Sequence, residues 1–155
     1  MKHQQRIFLC YSQVIVFDLE IENTSCNWTD DHVSQGFGWR ECSVSFMTLE
    51  EAGRAEIMLK VEPYFQPRKD AIRTIKVPFA VPEHGRIGVG SITEEFEVQL
   101  PEGHYSLYYE AGYGKEEMWI DFTFVPDDSN EAEVLVCDSG LHPNYPLTMT
   151  AEPAI

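Results

Sequence analysis

The chain has 155 residues, of which 43% are hydrophobic and 12% aromatic, and it is long enough to fold around one sizeable core. Its 26 acidic side chains outnumber its 11 Lys and Arg, so the formal net charge is -15. This charge argues against direct nucleic-acid binding, which needs clustered cations, and no apolar run is long enough to span a membrane. The acidity instead favours a cationic partner, or a partner that binds polyanions.

The first predicted strand begins close to the N-terminus. An apolar run, Ile7–Tyr11, follows Lys2 and Arg6 and is interrupted at Ser12 and Gln13. Acidic residues come next without a small-residue cleavage site, so a strand is a better interpretation than a leader peptide. The four cysteines form neither a Cys-x-x-Cys pair nor a zinc spacing with histidine. We therefore expect a cytoplasmic protein without a metal or a cofactor.

Most of the sequence alternates between apolar and polar residues, which is typical of strands with one buried face. The clearest stripe is Met118, Ile120, Phe122 and Phe124, and turn signals rich in Gly and Pro separate it from the others. The pattern predicts about nine strands, near residues 6–20, 41–48, 54–61, 72–81, 86–91, 94–100, 104–111, 117–125 and 132–138. Short strands at this spacing predict an all-β fold, a single antiparallel β-sandwich domain over residues 1–138.

Two segments depart from this pattern. Residues 23–40 form a predicted loop with one short helical turn, which Thr29 or Asp30 can cap and Gly36 can end. Residues 139–155 contain three prolines and little periodicity, so they are predicted to be an irregular C-terminal tail.

Signals for catalysis are weak. Three Gly-x-Gly pairs lack the third glycine of a dinucleotide loop, and no Gly-x-Ser-x-Gly or phosphate-binding loop is present. The five histidines are scattered. We therefore expect a protein that is not an enzyme.

Paired carboxylates allow three interpretations. They can act as general acid and base, although adjacent residues of a strand face opposite sides. They can be calcium ligands in a loop, and the candidates for such a site are Asp127, Asp128, Asn130 and Glu131. They can also be a solvated face.

The most individual region places aromatic residues beside acids. Trp28 and Trp39 flank Asp30 and Asp31 in the predicted loop. Loops often carry binding residues, and aromatic residues are common at the centres of interfaces. The alternative is that the two tryptophans fix the loop to the core.

Three stretches in this order resemble the competence protein J (ComJ) family. They are Tyr11-Ser12-Gln13 with the apolar run to Phe17; Asn27-Trp28-Thr29-Asp30-Asp31 with Gly36-Phe37; and Val77–Val81 with Gly85, Ser91-Ile92 and Leu100–Leu107. The chain departs from the family in its Lys115–Trp119 turn and in its proline-containing tail. The family is known for small cytoplasmic inhibitors of a DNA-entry nuclease, so the resemblance implies a protein inhibitor with a nuclease partner.

We therefore predict an acidic inhibitor that occupies the basic cleft of a DNA-degrading nuclease. The predicted partner-binding residues combine acids with tryptophans: Trp28, Asp30, Asp31, Glu116, Glu117 and Trp119. The alternative is a calcium- or ligand-binding sandwich module that has no nuclease partner.

Overall fold

Eleven strands and one short helix make up this computed structural model, which describes residues 2–154. The elements are β1 (Lys2–Leu9), β2 (Gln13–Asp18), α1 (Asp30–Gln35), β3 (Phe37–Arg40), β4 (Ser43–Met47), β5 (Gly53–Val61), β6 (Arg73–Val81), β7 (Arg86–Gly90), β8 (Glu95–Gln99), β9 (Gly103–Tyr113), β10 (Met118–Pro126) and β11 (Glu133–Val136). Sheet A has the order β1-β5-β10-β9-β6-β11, and sheet B has the order β3-β4-β2-β7-β8.

The apolar faces of the two sheets pack against each other and form one core. Ile120, Phe122 and Phe124 are fully buried, as their alternation predicts. Phe46 of sheet B stacks on Tyr109 of sheet A with ring centroids 4.7 Å apart. The prediction of an all-β sandwich is therefore confirmed. Within residues 2–154, no helix has both the length and the apolar character that crossing a membrane requires.

The strand count and one pairing differ from the prediction. The predicted strand 6–20 is two strands, because Tyr11 and Ser12 adopt left-handed φ angles of 59° and 57° and turn the chain from one sheet to the other. Strand β3 lies inside the predicted 23–40 loop and forms an edge of sheet B. Strands β5 and β10 pair in parallel, whereas the other pairs of named strands are antiparallel, so sheet A is mixed.

The strand directions place several connections at one end of the sandwich. The connections 10–12, 48–52, 91–94 and 114–117 lie there together with helix α1, and we call it the α1 end. The connections 82–85, 100–102 and 127–132 lie at the opposite end.

Candidate functional site

Helix α1 presents two carboxylates at the α1 end. Thr29 is its N-cap and accepts a hydrogen bond from the backbone N–H of His32, while His32 Nδ1 accepts from the backbone N–H of Thr29. Gly36 ends the helix with a left-handed φ of 86°. Asp30 and Asp31 occupy the exposed first turn, where the helix dipole favours negative charge. The predicted helical turn and its capping residues are thus confirmed.

Trp28 is half-buried beside this helix. Its indole Nε1 donates to Gln13 Oε1 at 3.1 Å, and its ring meets His32 edge-on with centroids 6.4 Å apart. Its side chain therefore fixes the loop to the body of the sandwich while part of the ring still faces solvent. We call Trp28, Asp30, Asp31 and the exposed Val33 the α1 patch. Among residues 2–154, neither aspartate of the patch pairs with a cation.

The second predicted acidic group lies at the same end, in the turn between β9 and β10. Glu116 is exposed, but Glu117 accepts two hydrogen bonds from Arg6 Nε, at 2.7 and 3.0 Å. A cavity of about 440 Å³ beside this turn is lined by Arg6, Arg54 and Lys115 as well as by acids. The local charge is therefore balanced, unlike that of the α1 patch.

Trp119 is not at the surface. It is only 7% exposed, and the guanidinium carbon of Arg68 lies 3.5 Å from the centroid of its ring. Arg68 is held in turn by ion pairs to Asp70 at 2.9 Å and to Asp121 at 3.3 Å. An interface anchor must reach its partner, so Trp119 can act as one only if Arg68 moves, and its role stays a prediction.

The segment that carries Arg68 also covers a buried carboxyl group, which the sequence interpretation missed. Glu110 is fully buried, and its Oε2 accepts the backbone N–H of Arg68 at 2.8 Å. Burial raises the pKa of Glu110, and the neighbouring carboxylate of Asp121 raises it further. Glu110 Oε1 has no hydrogen-bond partner among the described residues. No sequence signal singles out Glu110, because its position in the alternating pattern is that of an outward-facing residue.

At the opposite end, the sequence interpretation also missed a histidine between two carboxylates. His84 Nε2 lies 2.9 Å from Asp18 Oδ1 and 3.0 Å from Glu20 Oε2. The backbone N–H of Arg86 donates to His84 Nδ1, so the proton of the neutral ring sits on Nε2. In this tautomer Nε2 carries a proton at ion-pair distance from the two carboxylates but outside hydrogen-bond geometry, whereas a metal would need the Nε2 lone pair. The antiparallel pairing of β2 with β7 brings these distant residues together.

The predicted calcium ligands also lie at the opposite end. Asp127 Oδ2 accepts from the Ser106 hydroxyl at 2.9 Å and Oδ1 from the Ser129 N–H at 3.2 Å, and these bonds lower the pKa of Asp127. Asp128, Asn130 and Glu131 are exposed. Within residues 2–154, these carboxylates do not converge into a group of three. The calcium site stays a prediction.

These features define a class, the small acidic β-sandwich proteins with an exposed patch of acidic and aromatic side chains at one end. The chain belongs to the competence protein J (ComJ) family, whose model matches residues 6–125. Among solved structures, it is similar to ComJ from Bacillus subtilis, an inhibitor of the DNA-degrading activity of NucA. That similarity has a TM-score of 0.72 at 20% identity and covers 81% of this chain and 96% of that one.

A second solved structure is similar at lower identity. It is that of crocagin biosynthetic gene J, with a TM-score of 0.54 at 16% identity, and the similarity covers 82% of this chain and 99% of that one. No curated protein sequence matches the chain. At these identities the two structures establish the shared fold.

Proposed function

We propose that this protein inhibits a DNA-degrading nuclease by binding across its DNA-binding cleft. The observation that carries the proposal is membership of the ComJ family, together with the similarity to a Bacillus subtilis member that inhibits the DNA-degrading activity of NucA. The same relationship favours a protein that acts by binding and has no catalytic activity of its own.

Charge complementarity supports this mechanism. A nuclease cleft attracts phosphates with cations, and duplex DNA presents one charge about every 1.7 Å of helix axis. An inhibitor with a net charge of -15 can compete for such a cleft, and its field would speed the encounter roughly 10- to 1,000-fold at low salt. The inhibitor offers no phosphodiester bond, so the nuclease cannot cleave it as it cleaves DNA.

The α1 patch is the surface that we propose enters the cleft. Its two aspartates are exposed and are not neutralised by a cation of residues 2–154, and Trp28 lies beside them with its position fixed by Gln13. Glu116 lies at the same end and would extend the acidic surface. Trp119 and Glu117 would contribute only after Arg68 and Arg6 release them.

The proposal is tested by titration of a purified NucA-like nuclease from the same genome with this protein. We expect plasmid cleavage to stop at a ratio of one inhibitor to one nuclease, and we expect no retardation of DNA by the inhibitor alone. Full cleavage at a tenfold excess of the protein would refute the proposal for that nuclease.

The patch is tested by neutralising its charges. Asp30→Asn with Asp31→Asn should lower the association rate roughly three- to tenfold at low salt, because acidic charges that face a cationic cleft steer the encounter. Asp128→Asn with Glu131→Gln makes the same change in charge at the opposite end and is the matched control. Equal rate losses in both double variants would contradict a specific role for the α1 patch.

A further inference from the structure

The last 30 residues of the chain lie outside the part that matches the family model, which ends at residue 125. They nevertheless contact the loop around Asn27–Asp31, one of the stretches that resemble the family. After β11, the chain returns to helix α1 and then runs along the segment that precedes it. We call residues 139–154 the C-terminal tail.

Polar backbone groups of the tail bind the body of the protein at every second residue. Thr148 binds through both its N–H and its carbonyl, and the carbonyls of Thr150 and Glu152 are also acceptors. The N–H of Ala154 donates to the Ser25 carbonyl at 2.9 Å, and the Asn27 N–H donates to the Glu152 carbonyl at 2.7 Å. This period of two is that of an extended peptide bound along a surface.

Two buried side chains of helix α1 receive the tail. Gln35 Nε2 donates to the Thr148 carbonyl and Gln35 Oε1 accepts the Thr148 N–H, both at 2.8 Å. His32 Nε2 donates to the Thr150 carbonyl at 2.8 Å. With the tail in place, His32 and Gln35 are each only 2% exposed, so the tail both covers these polar groups and supplies hydrogen-bond partners for them.

The tail is also anchored before it reaches Thr148. Leu141 is buried in the core, and a Cβ on Gly36 would lie 2.9 Å from its Cδ2, so the tail packs directly on the residue that ends helix α1. The N–H of His142 donates to the Ser34 carbonyl at 2.7 Å. The tail thus contacts the C-terminal turn of the helix and the loop that leads into its N-terminus.

We propose that the C-terminal tail is an intramolecular ligand of helix α1 and positions the α1 patch for partner binding. Its contacts reach both ends of the six-residue helix, which is too short to be stable alone. The tail lies beyond the matched residues 6–125, so the family match does not by itself imply this contact. The role in partner binding rests on the proposed nuclease inhibition, whereas the hold on the helix does not.

The test compares two proline substitutions in the full chain. Thr148→Pro removes the N–H that Gln35 Oε1 accepts, whereas the Thr150 N–H makes no hydrogen bond with residues 2–154, so Thr150→Pro is the matched control. The Gly36 N–H donates the last hydrogen bond of the helix, to the His32 carbonyl at 2.9 Å. The rate of hydrogen exchange at this amide therefore measures how firmly the helix is held. We expect about tenfold faster exchange in Thr148→Pro than in Thr150→Pro.

Nuclease inhibition is then measured for the same variants, and we expect roughly tenfold weaker inhibition by Thr148→Pro alone. If Thr148→Pro fails to fold, Gln35→Met removes the same contact from the helix side at similar volume, together with the hydrogen bond that Gln35 Nε2 donates to the Phe37 carbonyl. Unchanged exchange at Gly36 in the folded variant would overturn the proposal. Faster exchange with undiminished inhibition would overturn the positioning role. Failure of the unmodified protein to inhibit would instead refute the proposed function, while the exchange result still decides whether the tail holds the helix.

Discussion

Replacing Asp138 with Asn should destabilise the protein by an amount that the geometry of its ion pair sets. Arg73 Nε and Nη2 donate to the two oxygens of Asp138 at 2.7 and 2.8 Å, and Arg73 is 4% exposed. Asp138→Asn removes the negative charge and leaves the buried guanidinium without a counter-ion. Such a loss costs about 3–5 kcal/mol in a buried pair, and we expect about 3 kcal/mol because the Asp138 side chain retains 17% exposure.

Urea unfolding at neutral pH measures this free energy, and the thermal midpoint should fall by about 6–12 °C for a chain of this size. The matched control is Glu97→Gln, which breaks the ion pair of Glu97 with Arg86. The Arg86 Nε and Glu97 Oε2 atoms of this pair are 3.3 Å apart, and both side chains are about half exposed. That change should cost less than about 1 kcal/mol. Equal losses in the two variants would refute the argument that burial decides the difference.

The effect of Asp138 should also depend on pH. Its pairing with Arg73 holds the pKa of Asp138 below its ordinary value of 3.8. Because the folded pKa is depressed, the stabilisation is fully present above the ordinary value and is lost as the pH falls through the folded pKa. The stability difference between the unmodified protein and Asp138→Asn should therefore shrink in acid, and a constant difference down to pH 2 would contradict the assignment.

Three further predictions concern the interior of the protein. Gly112→Ala would place a Cβ 2.4 Å from Trp119 Cζ2, so we expect it to lower the free energy of unfolding in urea by about 1–3 kcal/mol and to change the tryptophan fluorescence spectrum. Unchanged stability would mean that the indole of Trp119 does not lie against Gly112. Glu110→Gln should gain stability relative to the unmodified protein as the pH rises from 4 to 7. The reason is that the pKa of Glu110 is raised in the folded state, so the unmodified protein loses stability as the pH rises above the unfolded pKa. Parallel stability–pH profiles of the two proteins would contradict the raised pKa. Leu141→Ala should cost about 2–5 kcal/mol by calorimetry, and a loss below 1 kcal/mol would show that the tail does not join the core.

Alternation along the chain was sufficient to predict most of the strands and the class of fold. Residues such as Ile120 and Phe122 occupy the positions that their period requires. The caps at Thr29 and Gly36 likewise located helix α1. The break at Tyr11 and Ser12 was missed because neither residue type normally signals a left-handed turn. The parallel pairing of β5 with β10 was missed because alternation within a strand shows neither which strand lies beside it nor in which direction that strand runs.

The exposure of part of the candidate site could be predicted from the sequence, whereas the partner-binding role of its residues stays a prediction. Asp30 and Asp31 follow from local rules, since a capped first turn on a loop is exposed. The surroundings of Glu117 and Trp119 do not, because Arg6 and Arg68 come from segments distant in sequence. The boundary between domain and tail at residue 138, the calcium site and the location in the cytoplasm stay predictions.

The sequence by itself determined the quantities that depend on near neighbours: the net charge, the strand periodicity, the helix caps and the pattern that resembles the family. The tertiary structure alone decided which acids remain free. Glu117 is paired with Arg6, whereas the two aspartates of helix α1 form no ion pair within residues 2–154. It also decided that the irregular tail binds Gln35 and His32. Such contacts depend on distances between residues that the chain brings together only when the two sheets have packed.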